Sequence, residues 1–342
     1  MGPERQHTVT GEAAPPVTTA STMRAVVQDG YGSVGVLGLA RIARPEPGTG
    51  EVLLQVHAAG LDRGQWHLMT GQPYLIRPVA GFRGPRNPVR GLDVAGTVVA
   101  AGPAVTRFSV GDEVFGFGRG TFAEYAVARE DKLARKPANA SFEQAAVVPV
   151  SAVTALLALT DVGHVKAGQK VLITGASGGV GSYAVQLAAA FEAEVTGVCS
   201  TAKADFVRSL GAAHVVDYTQ DDFTDSGHYD LIIDIAGNPA IARLRHALTH
   251  AGTAVITGGE HGGNWTAMGR QLQALALSPF LRQRLAMVTP RQRAADLERL
   301  TVLIEAGKVT PSIGATYPLD EVPEAMRYLE SGAARGKIAI VI

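Results

Sequence analysis

Short apolar segments separated by turn residues make up the first part of the chain. Arg24–Val27, Val52–Val56 and Thr97–Ala100 are short and rich in apolar residues, and clusters of proline and glycine separate them. Several short strands spaced in this way favour a compact, barrel-like β domain. Residues 1–22 contain proline, threonine and alanine without periodicity, and we predict that they form a disordered tail.

Beyond Phe142 the pattern changes to an alternation of apolar strands and helical segments. A helix that Ser141 can cap is expected to kink or end at Pro149, because proline lacks a backbone N–H. The predicted strands are Val171–Thr174, Glu194–Cys199, His214–Val216, Leu231–Ile235, Thr253–Thr257 and Leu285–Val288, with helices at Tyr183–Ala190, Ala204–Leu210 and Ala240–Leu248. This alternation predicts a doubly wound parallel sheet with right-handed crossovers.

The last part of the chain returns to the first pattern. A predicted helix, Ala294–Glu305, is followed by short strands and by another helix near Glu321–Glu330. We expect this segment to pack on the first domain, which makes that domain discontinuous.

Composition limits the classes of function. The 342 residues correspond to about two domains, and the equal numbers of basic and acidic residues, 31 each, give no field favouring nucleic acid or a membrane. The longest apolar run, Ala145 to Thr160, is interrupted by Pro149 and is shorter than the ~20 residues of a membrane-spanning helix. Cys199 is the only cysteine, so no intramolecular disulfide can form, and a cytoplasmic location is expected.

The segment Gly175–Gly181, with the sequence GASGGVG, carries the strongest chemical signal. It follows a predicted strand and begins a predicted helix, whose N-terminal N–H groups, at Gly179 and Val180, can bind an anion. Gly178 lets the backbone approach a pyrophosphate, Gly181 lets the helix pack on the strand, and Ala176 stands at the first glycine position. We predict a dinucleotide site here; a glycine-rich turn without a ligand is the alternative.

The end of the second strand of this unit favours one nicotinamide coenzyme. An NAD site has an acidic residue about 20 residues beyond the glycines, to bind the ribose 2′-hydroxyl. Here the strand is followed by Ser200, Thr201 and Lys203, whose hydroxyl and ammonium groups suit a 2′-phosphate. NADPH is therefore predicted, although a helix N-cap with a solvated Lys203 is also compatible with these residues.

Seven short motifs, taken in their order along the chain, extend this interpretation to the whole chain beyond residues 1–22. They are Gly91–Val98, Val110–Gly116, Gly120–Ala126, Ala176–Gly181, Leu210–Ala212, Pro318–Leu319 and Gly336–Ile338. Together they resemble the medium-chain dehydrogenase/reductase superfamily, in its zinc-free quinone oxidoreductase (zeta-crystallin-like) branch. The resemblance implies a GroES-like catalytic domain over residues 23–146 and 289–342 and a Rossmann NADP(H)-binding domain over 147–288. It also implies an active site between them and a homodimer formed through the Rossmann sheet edge.

The resemblance also assigns roles to individual residues. It implies that Lys203 and Tyr218 contact the adenosine phosphate, and Lys337 of the closing motif is expected to bind the cofactor. Thr154 would lie close to the nicotinamide, or only bond back to its own helix. Tyr74 would line the pocket, or be a half-buried loop tyrosine.

Two further positions are expected near the reacting groups. Gly258, which follows a predicted strand, would give clearance to the nicotinamide, with an ordinary turn as the alternative. Asp93 is expected to orient a loop by hydrogen bonds.

The residues present do not form a catalytic zinc site. Zinc-dependent relatives place a cysteine where this chain has Asp62 and a histidine where it has Leu92, and catalytic zinc needs about three nitrogen or sulfur ligands. His57, Asp62 and His67 are only a poor substitute for the usual zinc ligands, so we expect a metal-free enzyme. Without a Lewis acid, reduction of an activated C=C bond in a quinone or an enone is favoured over oxidation of an alcohol.

Asp62 departs from the asparagine that is common in this branch. An ionised carboxylate cannot donate to a substrate carbonyl, so Asp62 is expected to be protonated, to bond a ribose, or to accept from a substrate hydroxyl. A cap on a helix near Arg63–Met69 is an equal alternative. The predicted function is NADPH-dependent reduction of quinones or α,β-unsaturated carbonyls. Alcohol dehydrogenation, a non-redox cyclisation and a non-catalytic binding role remain as alternatives.

Overall fold

The computed structural model describes residues 22–258, 269–289 and 291–342. The first strand begins at Thr22, at the end of the predicted tail. Residues 1–21 lie outside the described residues, so the disorder predicted for them stays a prediction.

The first part of the chain forms antiparallel β structure with two short helices. Its elements are β1 (Thr22–Gln28), β2 (Leu37–Ala43), β3 (Glu51–Leu61), α1 (Arg63–Thr70), α2 (Arg77–Ala80), β4 (Asp93–Ala101), β5 (Glu113–Phe117), β6 (Tyr125–Arg129) and β7 (Leu133–Arg135). β1 pairs with β2, and β3 pairs with both β4 and β6. β3 extends five residues beyond the predicted Val52–Val56, because a strand from the chain's end pairs with its second half.

The middle of the chain forms a six-stranded parallel sheet with helices between the strands. Its elements are α3 (Phe142–Ala146), α4 (Pro149–Leu157), β8 (Lys170–Thr174), α5 (Gly179–Ala190), β9 (Glu194–Cys199), α6 (Ala204–Ser209), β10 (His214–Asp217), β11 (Tyr229–Asp234), α7 (Ile241–Ala247), β12 (Leu248–Ile256), α8 (Gly269–Leu277) and β13 (Arg284–Met287). The order β10-β9-β8-β11-β12-β13 is that of a doubly wound Rossmann sheet. The central strands β8 and β11 are almost continuously buried, as expected for a parallel sheet covered on both faces.

The helix expected around Pro149 is divided in two. Ser141 and Gln144 form a capping box at the start of α3. That helix ends at Ala146, and Pro149 occupies the first turn of α4, where its missing N–H costs no helical hydrogen bond.

The end of the chain returns to the barrel. Its elements are α9 (Ala294–Glu305), β14 (Ile313–Pro318), α10 (Val322–Glu330) and β15 (Lys337–Val341). β15 pairs antiparallel with β3, and this pairing joins the C-terminal strands to a seven-stranded sheet. The predicted fold class, a Rossmann sheet with a discontinuous barrel-like domain, is therefore confirmed. In the described ranges, no helix combines the length and the apolar character that crossing a bilayer requires.

Candidate functional site

A cavity of about 520 Å³ lies at the carboxyl edge of the parallel sheet. One wall consists of the glycine loop after β8, the ends of β9 and β11, and Tyr218. The other wall comes from residues 61–64, at the junction of β3 and α1, and from the C-terminal segment around residues 336–338. Ligands of doubly wound sheets bind at this edge, because the strand order reverses there.

The glycine loop is shaped by two close approaches of its own backbone. A Cβ on Gly181 would lie 2.1 Å from the carbonyl oxygen of Gly175, so only glycine lets α5 start against the loop. Gly175 itself has a φ of +64°, which disfavours other residues. Ala176 is fully buried and donates its N–H to the Val198 carbonyl at 3.1 Å. Ala176 and Gly181 therefore support the loop without lining the cavity.

The first turn of α5 faces the cavity. Gly178 is the N-cap residue of this helix, and Gly179 and Val180 follow it; all of them line the cavity. The first N–H groups of a helix have no intrahelical acceptor, and the helix dipole adds partial positive charge there. This end of the cavity is suited to bind a diphosphate.

A basic corner lies beyond the second strand, where Ser200, Lys203 and Tyr218 line the cavity. Lys203 donates to the carbonyl oxygens of Gly332 and Ala334 at 2.7 and 3.0 Å. Burial, and next the charge of Arg335, lower the pKa of Lys203. An anionic group bound here would compensate both positive charges.

Two details of this corner differ from the sequence prediction. Thr201 does not line the cavity, because its hydroxyl is engaged with Asp217 and lies 3.3 Å from that of Thr219. Arg335 was not predicted; it donates to the Ala202 carbonyl at 2.9 Å. It comes from the far end of the chain, and no spacing in the sequence connects it with Lys203.

Asp62 lies at the junction of β3 and α1. It caps α1, as the structural alternative predicted: its Oδ1 accepts from the Gln65 N–H at 3.3 Å. It also lines the cavity, although its side chain is buried and only 7% exposed. Its other oxygen, Oδ2, is buried and has no hydrogen-bond partner among the described residues.

Two buried polar side chains lie against Gly179, at the start of α5. Lys337, which is 2% exposed, donates to the Ser151 hydroxyl at 3.0 Å, and both residues line the cavity. Asp93 is fully buried and accepts from the Val150 N–H through both oxygens at 3.2 Å, so it orients the start of α4, where a loop was expected. Burial, and next the charge of Asp62, raise the pKa of Asp93 well above its usual value, and the Lys337 charge opposes this rise.

Besides Ala176, Gly181 and Thr201, three more predicted site residues do not line this cavity. Thr154 bonds back to the Val150 carbonyl at 2.7 Å, which was the alternative for a threonine in an apolar helix. Tyr74 is half-buried in a short turn, with the Arg77 guanidinium 4.5 Å from its ring centre. A Cβ on Gly258 would lie 2.0 Å from the Ile235 carbonyl oxygen, so the missing side chain makes room for this neighbouring backbone. The next residue, Gly259, lies outside the described residues.

A dinucleotide crevice in a doubly wound sheet, closed by a discontinuous barrel, defines a two-domain nicotinamide-dependent oxidoreductase. Residues 48–138 match the family described as "Alcohol dehydrogenase GroES-like domain", and residues 210–340 match "Zinc-binding dehydrogenase". The chain belongs to the medium-chain dehydrogenase/reductase superfamily and is quinone oxidoreductase-like. Its activity class is oxidoreductase with a nicotinamide cofactor.

Individual relatives cover nearly the whole chain. The "Quinone-oxidoreductase homolog, chloroplastic" of Spinacia oleracea is 34% identical over 337 residues, which is 94% of this chain and 99% of the relative. The "2-methylene-furan-3-one reductase" of Solanum lycopersicum is 32% identical over 348 residues, covering 96% and 81%. Among solved structures, the quinone oxidoreductase from Coxiella burnetii superposes with a TM-score of 0.82 at 27% identity, covering 94% and 99%.

These comparisons contradict one expectation. The spinach relative is described as chloroplastic, and mammalian relatives are described as mitochondrial. The prediction of a cytoplasmic location, drawn from a single cysteine, is therefore wrong: cysteine content reports on redox state and does not identify the compartment.

The described residues do not fit the zinc that one family description names. His57 is bonded to the Thr97 hydroxyl at 2.9 Å, and His67 to the Gln72 carbonyl at 2.8 Å. Across residues 22–258, 269–289 and 291–342, no group of three or more His, Cys, Asp or Glu side chains could hold a metal ion. No reaction step is therefore assigned to a metal.

Proposed function

We propose that the protein uses NADPH to reduce quinones or α,β-unsaturated carbonyl compounds without a metal ion. The supporting observation is one cavity that is lined by the first turn of α5 and Lys203 and also by Ser151, Lys337 and Asp62. When bound, the coenzyme would supply a hydride to a carbon of the quinone or enone, and a proton from solvent would complete the reduction.

The first task of the protein is to hold the coenzyme. The N–H groups of Gly179 and Val180 bind the diphosphate, because the helix N-terminus carries partial positive charge. Ser200, Lys203 and Tyr218 hold the 2′-phosphate, and Arg335 reinforces the positive potential. Gly178 keeps the backbone close to the diphosphate because no side chain intervenes.

Its second task is to stabilise negative charge on the substrate oxygen. Lys337 donates to the Ser151 oxygen, so the Ser151 hydrogen remains available for an acceptor in the cavity. The nearby ammonium strengthens that hydroxyl as a donor, and fixed donors in a buried site stabilise a developing oxyanion. This pair gives the substrate carbonyl a partner in place of a metal ion.

The proposed activity is tested by stopped-flow measurement of NADPH oxidation with 1,4-benzoquinone and 2-cyclopentenone. We expect loss of absorbance at 340 nm that depends on both enzyme and acceptor and survives treatment with a chelator. Tight NADPH binding without oxidation by either acceptor would instead favour a non-redox step. Absence of nucleotide binding would favour a non-catalytic role.

Replacing Lys203 with alanine is expected to reduce the preference for NADPH over NADH. A hydrogen bond to a charged group contributes about 1.5–3 kcal/mol, so NADPH affinity should fall roughly 10- to 100-fold while NADH affinity changes little. Fluorescence titration with both coenzymes measures this. Because Lys203 also holds the 332–334 loop, Lys203→Met is the matched variant that keeps the aliphatic stem. An equal loss for both coenzymes would contradict a phosphate contact.

A further inference from the structure

One carboxylate oxygen in the cavity wall has no partner in the described part of the protein. Asp62 uses Oδ1 to cap α1, whereas Oδ2 is buried without a hydrogen bond. A buried acceptor left without a donor is unfavourable, and buried polar atoms in native structures are nearly always satisfied. Because Asp62 lines the cavity, a bound ligand can supply the missing donor.

Asp62 is contributed to the cavity by the barrel domain. It lies at the junction of β3 and α1, on the wall that the barrel contributes. The groups suited to the coenzyme, namely the first turn of α5 and the Lys203 corner, belong to the parallel sheet. The carboxylate therefore belongs to a different wall of the cavity from these groups.

The charge state of the site decides which kind of group Asp62 can bind. Burial, and next the Asp62 charge, raise the pKa of Asp93. A carboxylate at Asp62 accepts hydrogen bonds and donates none. A substrate carbonyl, which is also an acceptor, cannot satisfy it, but a hydroxyl group can.

Resting on the proposed function, we propose that Asp62 is a specificity-determining residue that accepts a hydrogen bond from a hydroxyl group of the carbonyl substrate. The preferred substrates are hydroxylated enones or quinones, in which the hydroxyl binds Asp62 while the carbonyl binds Ser151. A site with a buried acceptor discriminates strongly against analogues that lack the hydroxyl, because the acceptor is then left unpaired.

The first test compares acceptors that carry a hydroxyl group with their O-methyl ethers, which cannot donate a hydrogen bond. The pairs are 4-hydroxy-2-cyclopentenone with its O-methyl ether, and hydroxymethyl-1,4-benzoquinone with its O-methyl ether. In the wild-type enzyme, kcat/KM should favour the hydroxyl member of at least one pair by roughly 10- to 100-fold. Ratios within about twofold in both pairs would overturn the proposal, because such ratios correspond to no useful hydrogen bond.

Asp62→Asn tests the residue while keeping its structural role. Asparagine caps helices as well as aspartate does, so α1 is preserved, but an NH₂ donor can replace the unpartnered oxygen. The hydroxyl preference should disappear, and unsubstituted 2-cyclopentenone should become a relatively better acceptor. Asp222→Asn is the matched control, since Asp222 caps the short turn Phe223–Asp225 and does not line this cavity. It should retain the wild-type preference. An Asp62→Asn enzyme with an unchanged preference would overturn the role of Asp62.

The coenzyme ribose is the other source of a hydroxyl donor, and a binding measurement separates it. NADPH dissociation constants of wild-type and Asp62→Asn protein, measured by fluorescence without substrate, should agree within about threefold. A loss of about tenfold or more, with equal rates in both acceptor pairs, would assign Asp62 to the ribose and overturn the substrate assignment. NADPH oxidation at equal rates across each pair would leave the proposed function intact. No oxidation with any acceptor would reject both.

Discussion

Replacing Gly181 with alanine is expected to lower both the stability of the protein and its affinity for NADPH. The new Cβ would lie 2.1 Å from the Gly175 carbonyl oxygen and 2.8 Å from the Ala176 Cα, and these atoms belong to the loop's own backbone. No side-chain rotation relieves such a contact, so the loop and α5 must separate. Overpacking costs about 1–3 kcal/mol and occasionally more, and a backbone collision places this site at the upper end.

The affinity should fall because the displaced atoms include those that we propose as the diphosphate site. We expect NADPH to bind roughly tenfold more weakly or worse, equivalent to at least about 1.4 kcal/mol. Urea unfolding measures the stability change, and fluorescence titration measures the dissociation constant. A Gly181→Ala protein with wild-type values in both would show that α5 does not depend on this close approach.

Gly178→Ala is the matched substitution in the same loop. Gly178 has an extended backbone, with a φ of −84°, and its Cβ would meet only the Gly175 oxygen at 3.4 Å, an ordinary contact. The free energy of unfolding should therefore change by no more than about 0.5 kcal/mol. Because Gly178 lines the cavity, its methyl group should still weaken NADPH binding. Wild-type affinity in this variant would place the diphosphate elsewhere.

Patterns contained within one element allowed most of the fold to be predicted. Apolar runs located five of the six strands of the parallel sheet to within two residues, whereas β12 begins five residues before the predicted Thr253. α9 begins and ends at the predicted residues. The glycine loop was recognisable because its strand, turn and helix follow one another in the chain. The return of β15 to β3 was expected only as packing, because pairing across the whole chain leaves no local signal.

The site was less predictable because its contacts join distant segments. Lys337 and Ser151 are 186 residues apart, and the sequence indicated Lys337 only through its motif. The hydroxyl groups of Thr154 and Thr201 were compatible with the predicted roles, but nearer partners within the fold engage them. A short polar side chain can satisfy itself locally, and spacing alone does not reveal which choice it makes.

A buried ion pair at the carboxyl edge of the parallel sheet also joins residues that are far apart in the chain. Asp234 ends β11 with a fully buried carboxylate that contacts the Arg270 guanidinium, on α8, and accepts from the Thr174 hydroxyl at 2.9 Å. Arg270 also donates to the Pro239 carbonyl at 2.7 Å. The pair connects α8 to the loop after β11, which lines the cavity at Ile235.

Removing one partner of this pair is expected to be strongly destabilising. Burial raises the pKa of Asp234 despite the opposing effects of Arg270 and Thr174, so the pair does not fully compensate the loss of hydration. Asp234→Ala nevertheless leaves the Arg270 charge buried without its partner, which should cost about 3–5 kcal/mol. Asp205→Ala is the control, since the Asp205–Arg208 pair is exposed and should contribute less than about 1 kcal/mol.

The double variant Asp234→Leu/Arg270→Met tests whether the two charged side chains affect the stability of the protein as a pair or independently of each other. Both charges are then removed together, and apolar side chains of similar size replace them. Replacing a buried pair in this way is often neutral or stabilising, so the double variant should be more stable than Asp234→Ala by about 2 kcal/mol or more. Urea unfolding of the three proteins measures this. A double variant less stable than Asp234→Ala would show that Arg270 stabilises α8 through Pro239 and not through the carboxylate.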